Sequence, residues 1–220
     1  MEYVSPSYRG TQRAAAAPSP LSLRALLISA LMLWAGAAQA NQALWDLLKR
    51  GGQVVLIRHA LTDPGVGDPP GFVLADCSTQ RNLSDAGRDE ARRLGAAFRQ
   101  HAIPIARVLS SPWCRCIDTA KIAFGGSVKT HAALSNLFAQ AQNRERQLAA
   151  FRELIAKPPK AGNLILVTHG STTAAFTGVS PATAEMVIVT PSGQGRFELA
   201  GRITVPAAES PASTPAGNTK

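Results

Sequence analysis

From residue 41 onward, two kinds of hydrophobic pattern alternate along the chain. The first is the short apolar run: Gln53-Val-Val-Leu-Ile-Arg-His59 after Gly51-Gly52, then Arg107-Val-Leu-Ser110, then Asn163-Leu-Ile-Leu-Val-Thr-His169. Runs of this kind, rich in β-branched residues and apolar at successive positions, predict strands buried on both faces. The second pattern has helical spacing. Ala91, Leu94, Ala97 and Phe98 form one stripe after Asn82-Leu-Ser-Asp-Ala-Gly-Arg88, where Ser84 is the expected N-cap. Ser111-Pro112 predicts another helix start, a cap residue followed by proline. Leu148, Phe151, Leu154 and Ile155 predict a helix across residues 142–157, and Ser171 is the expected cap of a short helix after the third strand. Glu185-Met-Val-Ile-Val-Thr190 and Arg196-Phe-Glu-Leu-Ala-Gly-Arg202 read as a closing strand pair around Ser192-Gly193. Strands alternating with helices predict an α/β fold, a three-layer sandwich whose mostly parallel central sheet is flanked by helices.

The two ends do not fit this rhythm. Arg9, Arg13 and Arg24 precede an apolar run from Ala25 to Ala37, and Ala38-Gln39-Ala40 has the form of a signal peptidase site. The run is shorter than the roughly 18 residues that read as a membrane span. Residues 1–40 are therefore expected to be a signal peptide, residues 41–204 the folded domain, and the protein periplasmic or secreted with no stable membrane span after cleavage. From Val205 to Lys220 the chain is rich in Pro, Ala, Ser and Gly, and a disordered tail is expected.

Composition narrows the picture only slightly. Aromatics make up 5% of the chain, so the core must be aliphatic. The formal charge is +9 for the whole chain, and removal of residues 1–40 leaves 20 basic and 13 acidic residues. A basic balance suits an anionic partner, but no run of Lys and Arg is dense enough to read as a nucleic-acid stripe. A small phosphorylated substrate is the expected partner.

The chemistry concentrates at strand ends. The first strand ends in Arg58-His59-Ala60, the second leads into Ser110-Ser-Pro-Trp-Cys-Arg115, and the third ends in Thr168-His169-Gly170-Ser171. Ligands of open α/β sheets bind beyond the carboxyl ends of the strands, so Arg58, His59, Arg115 and His169 are expected in one crevice. Two guanidiniums hold the oxygens of a phosphoryl group with planar forks that stay charged. A neutral imidazole is a nucleophile for phosphorus, and a second one donates to the oxygens in the transition state.

These residues resemble the histidine phosphatase superfamily, the phosphoglycerate mutase-like proteins, over about residues 52–200. The resemblance rests on Arg58-His59-Ala60 with Thr62, on Leu83-Ser84-Asp85-Ala86-Gly87, on Ser110-Ser111-Pro112-Trp113-Cys114-Arg115 with Thr119-Ala120, and on His169-Gly170. It implies that His59 accepts the phosphoryl group, that Arg58, His59, Arg115 and His169 form the phosphate pocket, and that no metal or cofactor is needed. Ala60 stands where the family usually has Gly. Mutase-type members carry an acidic residue in the segment that here reads Ala132-Ala-Leu-Ser-Asn136-Leu-Phe138, and none is present. Chain length and export resemble the small phosphatase branch, and periplasmic phosphatases of lipopolysaccharide heptose phosphate suggest an envelope sugar phosphate as substrate.

Several assignments remain expectations. Glu185 is the candidate general acid, its pKa expected to be raised by partial burial at the edge of the crevice; Asp63 is a weaker rival. The breaker-rich loop Asp63–Asp76 is a candidate rim, and Ser78, Thr79 and Arg81 after it are assigned to a turn. Cys77 is expected to pair with Cys114 or Cys116, leaving one free thiol, against the alternative of three reduced thiols. Competing functions are a non-catalytic binder of phosphorylated envelope molecules, a phosphomutase, and a metal hydrolase, the last without any spaced ligand motif.

Overall fold

A computed structural model describes residues 39, 41–138, 141–156, 159 and 161–207. The expected leader therefore lies outside the described residues except for residue 39, as does the expected tail beyond residue 207.

Among the described residues six strands form one sheet: β1 (Val54–Arg58), β2 (Ile105–Ser110), β3 (Lys129–Thr130), β4 (Asn163–Thr168), β5 (Met186–Gly193) and β6 (Arg196–Ile203), in the order β3-β2-β4-β1-β5-β6. The pairs β3-β2, β2-β4 and β4-β1 are parallel, whereas β5 runs antiparallel to β1 and β6 antiparallel to β5. The expected strands all form, but β2 is buried only at Leu109 and Ser110 and exposed over Ile105–Arg107, because it lies next to the two-residue edge strand β3. Only the two-residue β3 has no counterpart in the hydrophobic pattern, because both of its residues are exposed.

Five helices flank the sheet: α1 (41–49), α2 (Asp85–Gln100), α3 (Cys114–Phe124), α4 (Arg144–Ile155) and α5 (Gly170–Thr177). Val55, Ile57, Ile165, Val167, Met186 and Ile188 face a core built with Leu48, Leu94, Phe98, Trp113 and Ala120. The alternate residues Val54, Leu56, Leu164, Leu166, Val187 and Val189 face a second core with Phe151 and Ile155. This strict alternation between two apolar layers is why the strands read as unbroken hydrophobic runs. The result is the expected three-layer α/β sandwich.

Helix boundaries show where local signals compete. Ser84 caps α2, accepting from the Gly87 amide at 3.1 Å. The helix after β2 starts at Cys114, not at Ser111-Pro112; Trp113 is its N-cap and makes no side-chain capping bond. Ser111 is instead drawn into the sheet-end network by its amide, which donates to the Val167 carbonyl. Nor does Ser171 cap α5. The N-cap is His169, so Ser171 falls in the first turn. Helix α1, with Trp45 and Leu48 buried, fell on a segment for which no element was expected.

Candidate active site

Strand register brings the two histidines together. Arg58 and Thr168 are paired residues on the adjacent parallel strands β1 and β4, so His59 and His169 emerge side by side. Their rings lie 5.3 Å apart, centroid to centroid, at 69°. Both rings are buried. A cavity of about 420 Å³ lies over them, lined by Arg58, His59, Arg81, Arg115 and His169, with Asn136 and Ser171 at its side.

The tautomer of His59 is fixed by its neighbour. Nδ1 lies 2.9 Å from the Ala60 carbonyl, which can only accept, so Nδ1 carries the proton and Nε2 keeps its lone pair. Burial, reinforced by the charges of Arg115, Arg58 and Arg81, pushes the His59 pKa down to about 3. His169 is also held well below the usual imidazole value by burial and by His59, Arg115 and Arg58. Its Nε2 is hydrogen-bonded to the Ser111 hydroxyl at 2.8 Å. Both imidazoles are therefore neutral near pH 7.

Two family-like motifs acquire physical reasons here. At Gly87 an added Cβ would fall on the Leu61 carbonyl, so glycine in the first turn of α2 lets that helix clamp the segment following His59. The Glu90 carboxylate accepts from the Leu61 amide at 2.8 Å on the same segment. Thr119 links α3 to β1: its hydroxyl accepts from the Ala60 amide at 3.0 Å and donates to the Arg115 carbonyl at 2.7 Å.

Of the arginines, Arg58 donates from Nη1 to the Pro181 carbonyl at 3.0 Å. Arg115 is only 1% exposed. The Nε–H groups of Arg58, Arg81 and Arg115 are buried without a hydrogen-bond partner among the described residues. Buried donors are normally satisfied; three unsatisfied ones on side chains lining one cavity suit an anion rich in acceptors, such as phosphate.

The expected set Arg58, His59, Arg115 and His169 is thus brought together, and Glu185 is not. Because β5 runs antiparallel, Glu185 does start beside the end of β1, and its carbonyl accepts from the Arg58 amide. Its carboxylate, however, turns to Arg202, with contacts of 2.8 and 2.7 Å, and to the Ala182 amide at 2.6 Å. Burial alone would raise its pKa, but the Arg202 hydrogen bonds, the Ala182 amide and the Arg202 charge hold it below the usual range. Glu185 is an ionised partner of Arg202 and does not line the cavity. Asp63 is absent from the lining too.

Residues missed from the sequence come mainly from the loop before α2. Arg81, assigned to a turn, lines the cavity; Ser78 and Thr79 do form a turn, capped by Asp76. Gly65, Val66 and Gly67 form the rim, and Val66 is 90% exposed. Phe138, 68% exposed, lies next to Gly67 of that rim. Asn136, in the segment where mutase-type proteins are acidic, lines the cavity and accepts from the Ser171 hydroxyl at 2.9 Å. Cys77 and Cys114 form a disulfide, and Cys116 is free and buried. The bridge ties the loop to the first residue of α3, next to Arg115.

A sequence model described as the histidine phosphatase superfamily (branch 1) matches residues 54–141, which include Arg58, His59 and Arg115. The match spans strands β1, β2 and β3 with helices α2 and α3, and over that stretch the chain is similar to the histidine phosphatase superfamily. No curated protein matches it by sequence. Among solved structures, the product of open reading frame Rv3214 from Mycobacterium tuberculosis is similar with a TM-score of 0.52 at 18% identity, covering 68% of this chain and 96% of that one. The protein histidine phosphatase SixA complexed with tungstate gives 0.49 at 17% identity, covering 69% and 96%. The mycobacterial glucosyl-3-phosphoglycerate phosphatase Rv2419c gives 0.49 at 17%, covering 68% and 98%. At these identities the likeness is one of fold alone.

Proposed function

We propose that this protein is a phosphatase that hydrolyses phosphomonoesters through a phosphohistidine at His59. The observation that carries the reading is a neutral, buried imidazole whose Nδ1 is held by the Ala60 carbonyl, set in a cavity lined by three arginines. In the first step the Nε2 lone pair attacks phosphorus and the ester P–O bond breaks, releasing the alcohol. In the second, water attacks the phosphohistidine and inorganic phosphate leaves. Arg58 and Arg115 hold the non-bridging oxygens throughout, and His169 donates to the phosphoryl group as charge develops.

Among the described residues that line the cavity there is no carboxylate. The leaving group therefore departs without a side-chain carboxylic acid beside it, which favours substrates whose leaving groups are stable as anions or take a proton from water. We propose that this chemistry acts in the periplasm or outside the cell on small phosphorylated molecules such as envelope sugar phosphates, a reading supported by the basic leader, apolar run and Ala38-Gln39-Ala40.

The test is turnover of p-nitrophenyl phosphate in the presence of EDTA, with acid quenching to look for an acid-labile, base-stable phosphoenzyme. Sustained turnover with the phosphoenzyme supports the reading. Loss of turnover on chelation points to a metal hydrolase, and binding of inorganic phosphate without any turnover points to a binder.

A further inference from the structure

We infer that Asp68 is the positioning residue for Arg115: its carboxylate takes the end-on fork of the guanidinium and leaves the side-on fork for the phosphoryl group. Asp68 lies on the rim loop, 47 residues before Arg115 in sequence, yet its side chain is 2% exposed. It accepts from Arg115 Nη1 at 2.6 Å and Nη2 at 3.2 Å. It also accepts from the Arg81 amide at 3.1 Å and from Trp113 Nε1 at 3.0 Å. Four donors from three residues thus converge on one carboxylate.

A guanidinium has five N–H groups in one plane. Asp68 uses one on each Nη, and the second on Nη1 lies 3.4 Å from the Arg81 carbonyl. What remains is Nε–H, buried and without a partner among the described residues, and one hydrogen on Nη2. These two point the same way from the same edge, the edge suited to bidentate contact with two phosphoryl oxygens. Arg115 lines the cavity over the histidines, whereas Asp68 lines the neighbouring cavity with Pro69, Pro70 and Asn82. The carboxylate therefore holds the Nη end of the arginine from outside that lining and fixes the plane of its guanidinium. The Cys77–Cys114 bridge and the Trp113 contact anchor that loop beside the same helix start.

The inference rests on the phosphate-cavity reading but is separable from turnover. Wild type, Asp68→Asn, Arg115→Ala and the double variant are compared for tungstate binding by calorimetry and for hydrolysis of p-nitrophenyl phosphate and an alkyl phosphate, with thermal unfolding as a control. Asp68→Asn should lose roughly 10²-fold in kcat/KM, as expected for misplacing a catalytic contact by about 1 Å, and by the same factor on both substrates. It should weaken tungstate binding, and should have no further effect once Arg115 is Ala. Should Asp68→Asn not fold, Asp68→Glu, which keeps the charge but shifts it, takes its place with the same expectations. Additive losses in the double variant, wild-type tungstate affinity in Asp68→Asn, or a loss confined to the alkyl phosphate would overturn the inference, the last by making Asp68 a proton donor. If wild type binds tungstate through Arg115 and Asp68 but turns over neither phosphate, the phosphatase reading fails while the positioning role stands.

Discussion

Arg58 on β1 and Thr168 on β4 are register partners, although 110 residues separate them. The next residue on each strand is a histidine, so a single parallel pairing creates a two-imidazole site. The fold requires nothing more elaborate, because side chains at the carboxyl end of neighbouring parallel strands share one crevice.

His59→Ala should abolish turnover and phosphoenzyme together. Arg58→Ala or Arg115→Ala should each cost about 2.7–4 kcal/mol of transition-state stabilisation, the range for removing one oxyanion donor. Steady-state kinetics and acid-quench labelling check both. Full activity in His59→Ala would sink the covalent mechanism.

Glu185→Gln should leave catalysis unchanged on aryl and alkyl phosphates alike, since the carboxylate faces Arg202 and the Ala182 amide. It should instead lower stability by about 1–2 kcal/mol for a charged hydrogen-bonded group, with the half-exposed Arg202 keeping the loss toward the lower end. In both proteins the rate should fall steeply as leaving-group pKa rises. A loss restricted to alkyl substrates in Glu185→Gln would restore Glu185 as the proton donor.

Thiol titration separates the cysteines. Native protein should show no reactive thiol, because Cys116 is buried and burial pushes its pKa up to about 12. Denatured, unreduced protein should show one. Cys77→Ser should cost roughly 2–4 kcal/mol by releasing the loop constraint, and should reduce activity through the rim loop. Three thiols under denaturation would contradict the bridge.

Stability should depend on pH with a defined sign. The folded pKa of His59, about 3, lies below its unfolded value, and His169 is shifted in the same direction. The unfolded chain therefore binds more protons below about pH 6.5. This contribution is complete above that pH and is lost progressively as pH falls toward the folded value. Asp68 and Glu185, both with lowered pKa, add a loss in more acidic solution. Tm should fall from pH 7 toward pH 4, and a His59→Asn/His169→Asn variant should flatten the upper part of that fall. Scanning calorimetry across this range decides it.

Export is checked by N-terminal sequencing of protein purified from the native host. The expected first residue is Asn41, after Ala38-Gln39-Ala40. A cytosolic protein retaining residues 1–40 would rule export out.

The sequence by itself determined the sheet's buried strands, because residues packed on both faces must be apolar at every position. It also pointed to Arg58, His59 and His169, which end or directly follow such strands, and to Arg115 in the first turn of the helix after β2. Tertiary structure alone decided what comes from loops. Arg81 and Asp68 lie in a segment of glycines, prolines and charges with no periodicity, and only folding of that loop against α3 brings Asp68 to Arg115. The same holds for Glu185. Its position at the end of β1 followed from strand order, but the direction of its side chain depended on Arg202 across the β5-β6 hairpin, a pairing that no local pattern records.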